Sequence, residues 1–150
     1  MKDINEIDQR ILRVLEHDGR ITNSELANRV GLSASACLRR VQELERSGTI
    51  MGYRARINRA HLGTALTVFV AVGLARHLKK DQEAFEQAMK AAPQVRECHN
   101  VSGTIEYWLR VEVADLEAYK HFHTDILGTV PQVASLVSYF VMGTPKDERG

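Results

Sequence analysis

The sequence predicts an α+β fold in which an N-terminal winged helix-turn-helix precedes a ferredoxin-like βαββαβ sandwich. Three observations lead to this fold class. Residues 5–48 repeat apolar side chains at helical spacing between glycine stops. Residues 64–150 alternate strand-like and helical segments in the order β, α, β, β, α, β. Residues 54–63 lack a strong periodicity, so we expect a linker between a domain at 1–53 and a domain at 64–150.

The first helix is predicted from about Glu6 to His17, with Asn5 as a cap and a stop at Asp18-Gly19. The second helix begins at Thr22. Thr22 and Glu25, three residues apart, are predicted to form a capping box. In such a box each of the two side chains accepts from a backbone N–H of the first turn that has no partner within the helix.

Gly31 ends the second helix after barely two turns, and the third helix runs from a new cap at Ser33 to about Ser47. A short helix, a tight glycine turn and a longer helix form a helix-turn-helix. Residues 50–53 are expected to begin a short β-wing.

The third helix indicates a surface that binds DNA. Its apolar stripe of Cys37, Val41 and Leu44 leaves hydroxyl, guanidinium and amide groups outside, which suit phosphates and base edges in a major groove. Residues 20–59 hold eight arginines, three glutamates and no lysine, and arginine's planar fork favours the same partners. A purely structural helix pair with a solvated charged face is the alternative.

The predicted DNA contacts are Ser33, Ser35, Leu38, Arg39, Arg40, Gln42, Arg54 and Arg56. Arg39 and Arg40 lead this set. A pair between Arg40 and Glu43 is the alternative to a phosphate contact.

The second domain is predicted from its apolar runs, its turn residues and its caps. The expected elements are a strand over Leu66–Leu74, a helix over Lys79–Ala92, strands over Val95–Ser102 and Ile105–Val113, a helix from the Asp115 cap to about Gly128, and a strand over Val133–Met142.

The first of these strands is apolar on both faces, with Val68, Val70 and Val72 on one side and Phe69 and its neighbours on the other. The helices of one chain can cover only one face of the sheet. A homodimer in which two sheets pack together is therefore expected.

Other classes of protein find little support. No apolar run approaches the roughly 20 residues of a membrane span, and the N-terminus lacks the pattern of a secretory signal. Cys37 and Cys98 form no CxxC pair, and His99, His121 and His123 have no ligand spacing, so we expect a cytoplasmic protein with no metal or other cofactor. No catalytic motif is found, and no enzyme activity is expected.

Short segments from residue 5 to residue 143 then match one known family in order. They are Ile7-Asp8, Ile11-Leu12, Asp18-Gly19-Arg20, residues 26–33, residues 40–45, Gly48-Thr49-Ile50, Gly52-Tyr53, Glu97-Cys98 and Val101-Ser102-Gly103. The chain resembles the Lrp/AsnC family, the feast/famine transcriptional regulators of bacteria and archaea. The resemblance implies a RAM-type ligand-sensing and oligomerising domain, dimers that assemble to octamers, and control of transcription by small molecules, usually amino acids.

One departure lies in the family's effector loop, which usually reads Gly-Asp-aromatic-Asp-Tyr. Here Glu106 keeps a carboxylate that is one methylene longer, and Thr104 lacks the first one. A different ligand, or a loop with an assembly role alone, is therefore the alternative to an amino-acid effector. The effector contacts that the resemblance implies are Asn100, Gly103, Thr104, Glu106, Leu116, Ser138, Tyr139 and Phe140.

We expect a sequence-specific transcriptional regulator that is associated with the nucleoid. Two other functions fit parts of the same pattern. A nucleoid-type architectural protein would coat DNA with little sequence preference. Haem-pathway decarboxylases share the Lrp-like architecture, although an enzyme has no need of an arginine-bearing recognition helix.

Overall fold

The computed structural model describes residues 4–147, which form two compact units, residues 4–57 and residues 58–147. The three residues at each end, which the predicted domains include, lie outside the described residues.

The first unit contains α1 (Glu6–His17), α2 (Asn23–Val30) and α3 (Ala34–Arg46). All three predicted caps are confirmed, because Asn5, Thr22 and Ser33 each accept a hydrogen bond from the backbone N–H three residues later. The Glu25 carboxylate differs from the expected box. It accepts from the Thr22 hydroxyl at 3.3 Å rather than from a backbone N–H.

The turn between α2 and α3 depends on Gly31, whose φ of 74° is left-handed. Asn23 also fixes this turn, since its side-chain amide donates to the Ala34 carbonyl at 2.8 Å. The helices bury a small core of Ile11, Leu26, Ala27, Val30, Cys37 and Leu44.

The predicted β-wing is not present as a strand, since the first strand among the described residues begins at Leu66. The Ile50 N–H instead donates to the Leu44 carbonyl at 3.0 Å and closes the end of α3. The Tyr53 hydroxyl donates to Glu45 of α3 at 2.9 Å. These bonds hold the segment against the helix, so its backbone is not paired in a hairpin.

The second unit begins with a 3₁₀ turn at Arg59–Leu62. It continues through β1 (Leu66–Leu74), α4 (Lys79–Ala91), β2 (Val95–Asn100), β3 (Tyr107–Val113), α5 (Leu116–His121) and β4 (Val133–Phe140). The four strands are antiparallel in the order β2-β3-β1-β4, which is the ferredoxin-like arrangement.

Several element ends differ from the predicted ones. The loop between β2 and β3 is wider than expected, since β2 ends at Asn100 and β3 begins at Tyr107. The Glu106 carbonyl accepts from the Val101 N–H at 2.9 Å, and Glu106 donates its own N–H to the Val72 carbonyl at 3.0 Å. After His121 the chain continues through a π turn, Phe122–Ile126, and a 3₁₀ turn, Leu127–Thr129. β4 ends at Phe140, and Met142 is fully exposed.

The two faces of the sheet have different surroundings. One face packs against α4 and α5 in a core that includes Val70, Phe85, Leu109, Phe122 and Leu127, each completely or almost completely buried. The opposite face, called here the open face, carries Phe69 on β1, Trp108, Arg110 and Glu112 on β3, and Val137 and Tyr139 on β4. No helix within the described residues is long and apolar enough to cross a membrane.

Candidate functional site

The outer face of α3 presents the side chains that the sequence nominates for DNA. Ser33, Ser35, Leu38, Arg39 and Gln42 are all exposed, while Cys37 behind them is completely buried. Within residues 4–147, Arg39 and Gln42 form neither an ion pair nor a side-chain hydrogen bond. The Arg39 guanidinium and the Gln42 amide are thus available to bind DNA. The hydroxyls of Ser33 and Ser35 lie near the start of the helix, where the helix dipole favours a phosphate.

Arg40 has a different environment from the one expected. Its Nη1 donates to the Asp8 carboxylate at 2.8 Å and to the Asn5 side chain at 3.3 Å, which ties α3 to the start of α1. The predicted alternative partner, Glu43, instead accepts two bonds from Arg46, at 2.7 and 3.0 Å. The Glu43 pairing was wrong because helix packing brings Asp8 to Arg40 from a distant part of the sequence.

Arg54 and Arg56 are exposed in the segment after α3, which has no regular secondary structure. Tyr53 precedes them and ties the segment to α3 through Glu45. Burial, followed by the bond to Glu45, raises the pKa of the Tyr53 hydroxyl to about 12. The segment therefore leaves α3 from a defined point.

The effector loop lies over the end of β1. Glu106 accepts a 2.6 Å bond from the Leu74 N–H, and its second oxygen lies 3.1 Å from His77 Nδ1. The Asn100 amide donates to the Glu106 carbonyl at 3.3 Å. Gly103 has a φ of 137°, and Thr104 is exposed. The one carboxylate that this loop retains is therefore already engaged within the chain.

The sequence did not identify three residues around this carboxylate. Leu74 and His77 contact it directly. Ser135 of β4 lies beside Gly73, where an added Cβ would be 2.3 Å from the Ser135 Oγ and 3.7 Å from a Glu106 carboxylate oxygen. A glycine inside an apolar strand is the available sequence signal for such an approach. Nothing in the local sequence indicates His77, which is brought in by the turn after β1.

The other nominated effector residues lie elsewhere. Ser138 contacts the Tyr119 hydroxyl on the helix-covered face, and Phe140 packs edge-on against the Tyr119 ring with centroids 5.2 Å apart. Tyr139 points to the open face and packs near Trp108, with ring centroids 5.7 Å apart. Consecutive strand residues face opposite sides, so the run 138–140 cannot line one site within a single chain.

The register also separates the loop from Phe140. Val72 pairs with Tyr107 beside the loop, whereas Val68 pairs with Phe140. Four residues of strand span about 13 Å. Leu116, on α5, is 64% exposed. The structure thus brings together Asn100, Gly103, Thr104 and Glu106, but it does not bring Ser138, Tyr139 and Phe140 to them.

Comparisons with known proteins agree in both units. A winged helix-turn-helix DNA-binding model matches residues 4–51, and an Lrp/AsnC ligand binding domain model matches residues 67–150. The Leucine-responsive regulatory protein of Escherichia coli is 43% identical over 141 residues, which covers 94% of this chain and 86% of that protein. The chain belongs to the Lrp/AsnC family. It is therefore a DNA-binding transcriptional regulator with a ligand-binding domain.

Solved structures of Lrp/AsnC proteins have the same fold. A transcriptional regulator from Neisseria meningitidis, in complex with L-methionine, has a TM-score of 0.93 at 34% identity and covers 97% of this chain and 94% of its own. The feast or famine regulatory protein of M. tuberculosis, also complexed with L-methionine, has a TM-score of 0.85 at 34% identity, with 99% and 98% covered.

No group of three or more potential metal ligands occurs in the part of the chain that the structure describes. His121 is paired with Asp125 at 3.0 Å, and His99 lies 3.3 Å from Glu97.

Proposed function

We propose that this Lrp/AsnC regulator reads specific operators by inserting the N-terminal half of α3 into the major groove. The exposed face of α3 carries this proposal, because it combines Arg39 and Gln42, whose side chains have no partners among the described residues, with a firmly buried opposite face. Ser33 and Ser35 suit phosphates, while Arg39 and Gln42 suit base edges. Arg54 and Arg56 add charge for the backbone.

The test is a fluorescence-anisotropy titration on DNA from upstream of the protein's own gene, with scrambled DNA of equal length in parallel at physiological salt. Binding at least ~10³-fold tighter to the native fragment supports specific regulation. Equal and steeply salt-dependent binding to both fragments favours a nucleoid-coating role. Absence of binding to either fragment contradicts the proposal. A cytoplasmic, nucleoid-associated location follows from the same function.

For the second domain we propose an apolar amino acid as the effector. L-methionine is the ligand named for two structurally similar regulators, and leucine appears in the name of the E. coli relative. Glu106 supplies a carboxylate for the ligand's ammonium, which must then displace His77 from it. Since the nominated residues are separated within one chain, we propose that a complete site forms between chains.

Isothermal titration with L-methionine and L-leucine tests the effector, with wild-type protein and Thr104→Asp compared. The added carboxylate is expected to tighten binding of the ammonium group. If neither protein binds either amino acid, and neither changes its oligomer distribution, the loop has an assembly role alone.

We also propose a homodimer that assembles further, up to an octamer. The open face supports this proposal. Val137 and Tyr139 are about half exposed there, beside Phe69 and Trp108, whose ring centroids lie 5.9 Å apart. An apolar aromatic patch of this kind is typical of an interface.

A further inference from the structure

α3 carries one large apolar side chain on its exposed surface. Leu38 is 47% exposed, although the apolar side chains of Cys37 and Leu44 on the same helix are buried. It lies one turn before Gln42 and next to Arg39, both of which are exposed. Exposure of a leucine to water is unfavourable, and the core behind the helix is already filled by other residues.

The neighbours of Leu38 limit what it can meet. Residues four apart on a helix lie on the same face with Cβ atoms about 5–6 Å apart, so Leu38 and Gln42 face the same part of any groove that α3 enters. Gln42 has the amide that binds adenine N6 and N7 in a bidentate manner. The thymine of an A·T pair presents its 5-methyl group in the same groove, beside those adenine atoms.

We propose that Leu38 is a specificity-determining residue that contacts a thymine 5-methyl group, so that Leu38 and Gln42 together read an A·T step in each half-site. The inference rests on the proposed function, because it requires α3 to lie in the major groove. Beyond that function, the inference specifies which base is contacted, thymine, and which group on it, the 5-methyl group. Hydrogen-bonding side chains distinguish the bases by the positions of donors and acceptors in the groove. Leu38 instead distinguishes thymine from cytosine by an apolar contact with the methyl group, which cytosine lacks.

The experiment begins with selection of operators from a pool of random duplexes by the full-length protein. Each thymine of the selected operator is then replaced singly by deoxyuridine, which removes the methyl group and leaves every hydrogen-bonding group in place. Wild-type protein is expected to lose about fourfold in affinity at one thymine per half-site, the loss for one buried methyl-sized group. At that same position, Leu38→Ala is expected to bind the two DNAs equally.

Arg39→Ala is the matched control, because it removes a neighbouring contact on the same face. It is expected to bind more weakly overall and to keep the fourfold difference between thymine and deoxyuridine. Circular dichroism checks that the variants fold, and the exposure of Leu38 makes folding of Leu38→Ala the expected result.

Two outcomes overturn the proposal at different levels. If operators are enriched but no thymine methyl matters, or if Leu38→Ala keeps the full methyl dependence, Leu38 has no part in reading bases. If the pool never enriches, sequence-specific binding itself fails, and the role of Leu38 fails with it.

Discussion

At the scale of single residues, the partner of a guanidinium decides what it can do. α3 and its end hold three arginines in three situations. Arg39 has no partner among the described residues, Arg40 is held by Asp8, and Arg46 is paired with Glu43. Only a guanidinium that does not already pair within the protein can move to a base edge without breaking an ion pair.

Arg39→Ala is therefore expected to weaken operator binding by roughly 1–3 kcal/mol, the range for one base-specific contact. Anisotropy titrations on operator and scrambled DNA measure the effect. Equal weakening on both DNAs would instead assign Arg39 to a phosphate.

Tyr107 is a second residue whose partner matters. Its side chain is 1% exposed, and its hydroxyl donates to Glu86 of α4 at 2.8 Å. Burial, and then the bond to Glu86, raises its pKa to about 12 from 10.0. Because the folded pKa lies above the unfolded one, this stabilisation is fully present below pH 10 and is lost as the pH rises through 12.

Tyr107→Phe is expected to cost about 1 kcal/mol in the free energy of unfolding at pH 7, as for one hydrogen bond. The difference between variant and wild type is expected to shrink between pH 10 and 12. Urea unfolding at several pH values measures it. A difference that stays constant across this range would contradict the raised pKa.

At the scale of elements, the Asp8–Arg40 pair fixes α3 against α1. The Asp8 side chain is 12% exposed and that of Arg40 is 32% exposed, whereas Arg46, which pairs within α3, is 75% exposed. Removing one partner of a shielded pair leaves the other charge without compensation.

Arg40→Ala is expected to lower the free energy of unfolding by about 1–3 kcal/mol, between the values for exposed and buried pairs. Arg46→Ala is the matched control, and its melting temperature should stay close to that of the wild type. Thermal unfolding followed by circular dichroism makes the comparison. Equal melting temperatures for the two variants would show that the pair with Asp8 does not hold the helices.

Elements with a strong local signal could be predicted to the residue. α1 and β1 have the expected bounds, because caps and an uninterrupted apolar run specify them locally. α5 could not be predicted in full, since the π turn at Phe122–Ile126 leaves the apolar spacing almost unchanged. The strand expected at residues 50–53 is absent, and there the Tyr53 hydroxyl bonds to Glu45 of α3, a contact that has no local signal in the sequence.

The site was predictable to a similar extent. The outward face of α3 follows from helical spacing, and Ser33, Arg39 and Gln42 are exposed as expected. Long-range partners have no local signal. The Arg40–Asp8 pair spans 32 residues, and the bond that holds Glu106 to Leu74 also spans 32.

At the scale of the whole molecule, the open face divides into two parts. The charged residues of one part pair with one another, since Arg110 forms ion pairs with Glu97 at 2.6 Å and with Glu112. The apolar part of the face, around Trp108 and Tyr139, has no comparable cover among the described residues. A second chain that packs on the apolar part would therefore bury the most apolar surface, and this burial stabilises a dimer.

Tyr139→Glu is expected to shift the protein towards monomer, because it places a charge in that apolar part. Leu78→Glu, at a similarly exposed position outside the open face, is the control and should leave the assembly unchanged. Sedimentation velocity at micromolar concentration reads the result. A Tyr139→Glu protein with the wild-type distribution would place the interface elsewhere.

The two units differ in the size of their cores. Among the described residues, six buried side chains form the core of the first unit and fourteen form that of the second. A core in a unit as short as residues 4–57 supplies only about 3–5 kcal/mol at best. On heating, the helical unit is therefore the one expected to melt first. A temperature rise would then release the operator while the ligand-binding domain stays folded, and bound DNA would raise the lower of the two melting temperatures.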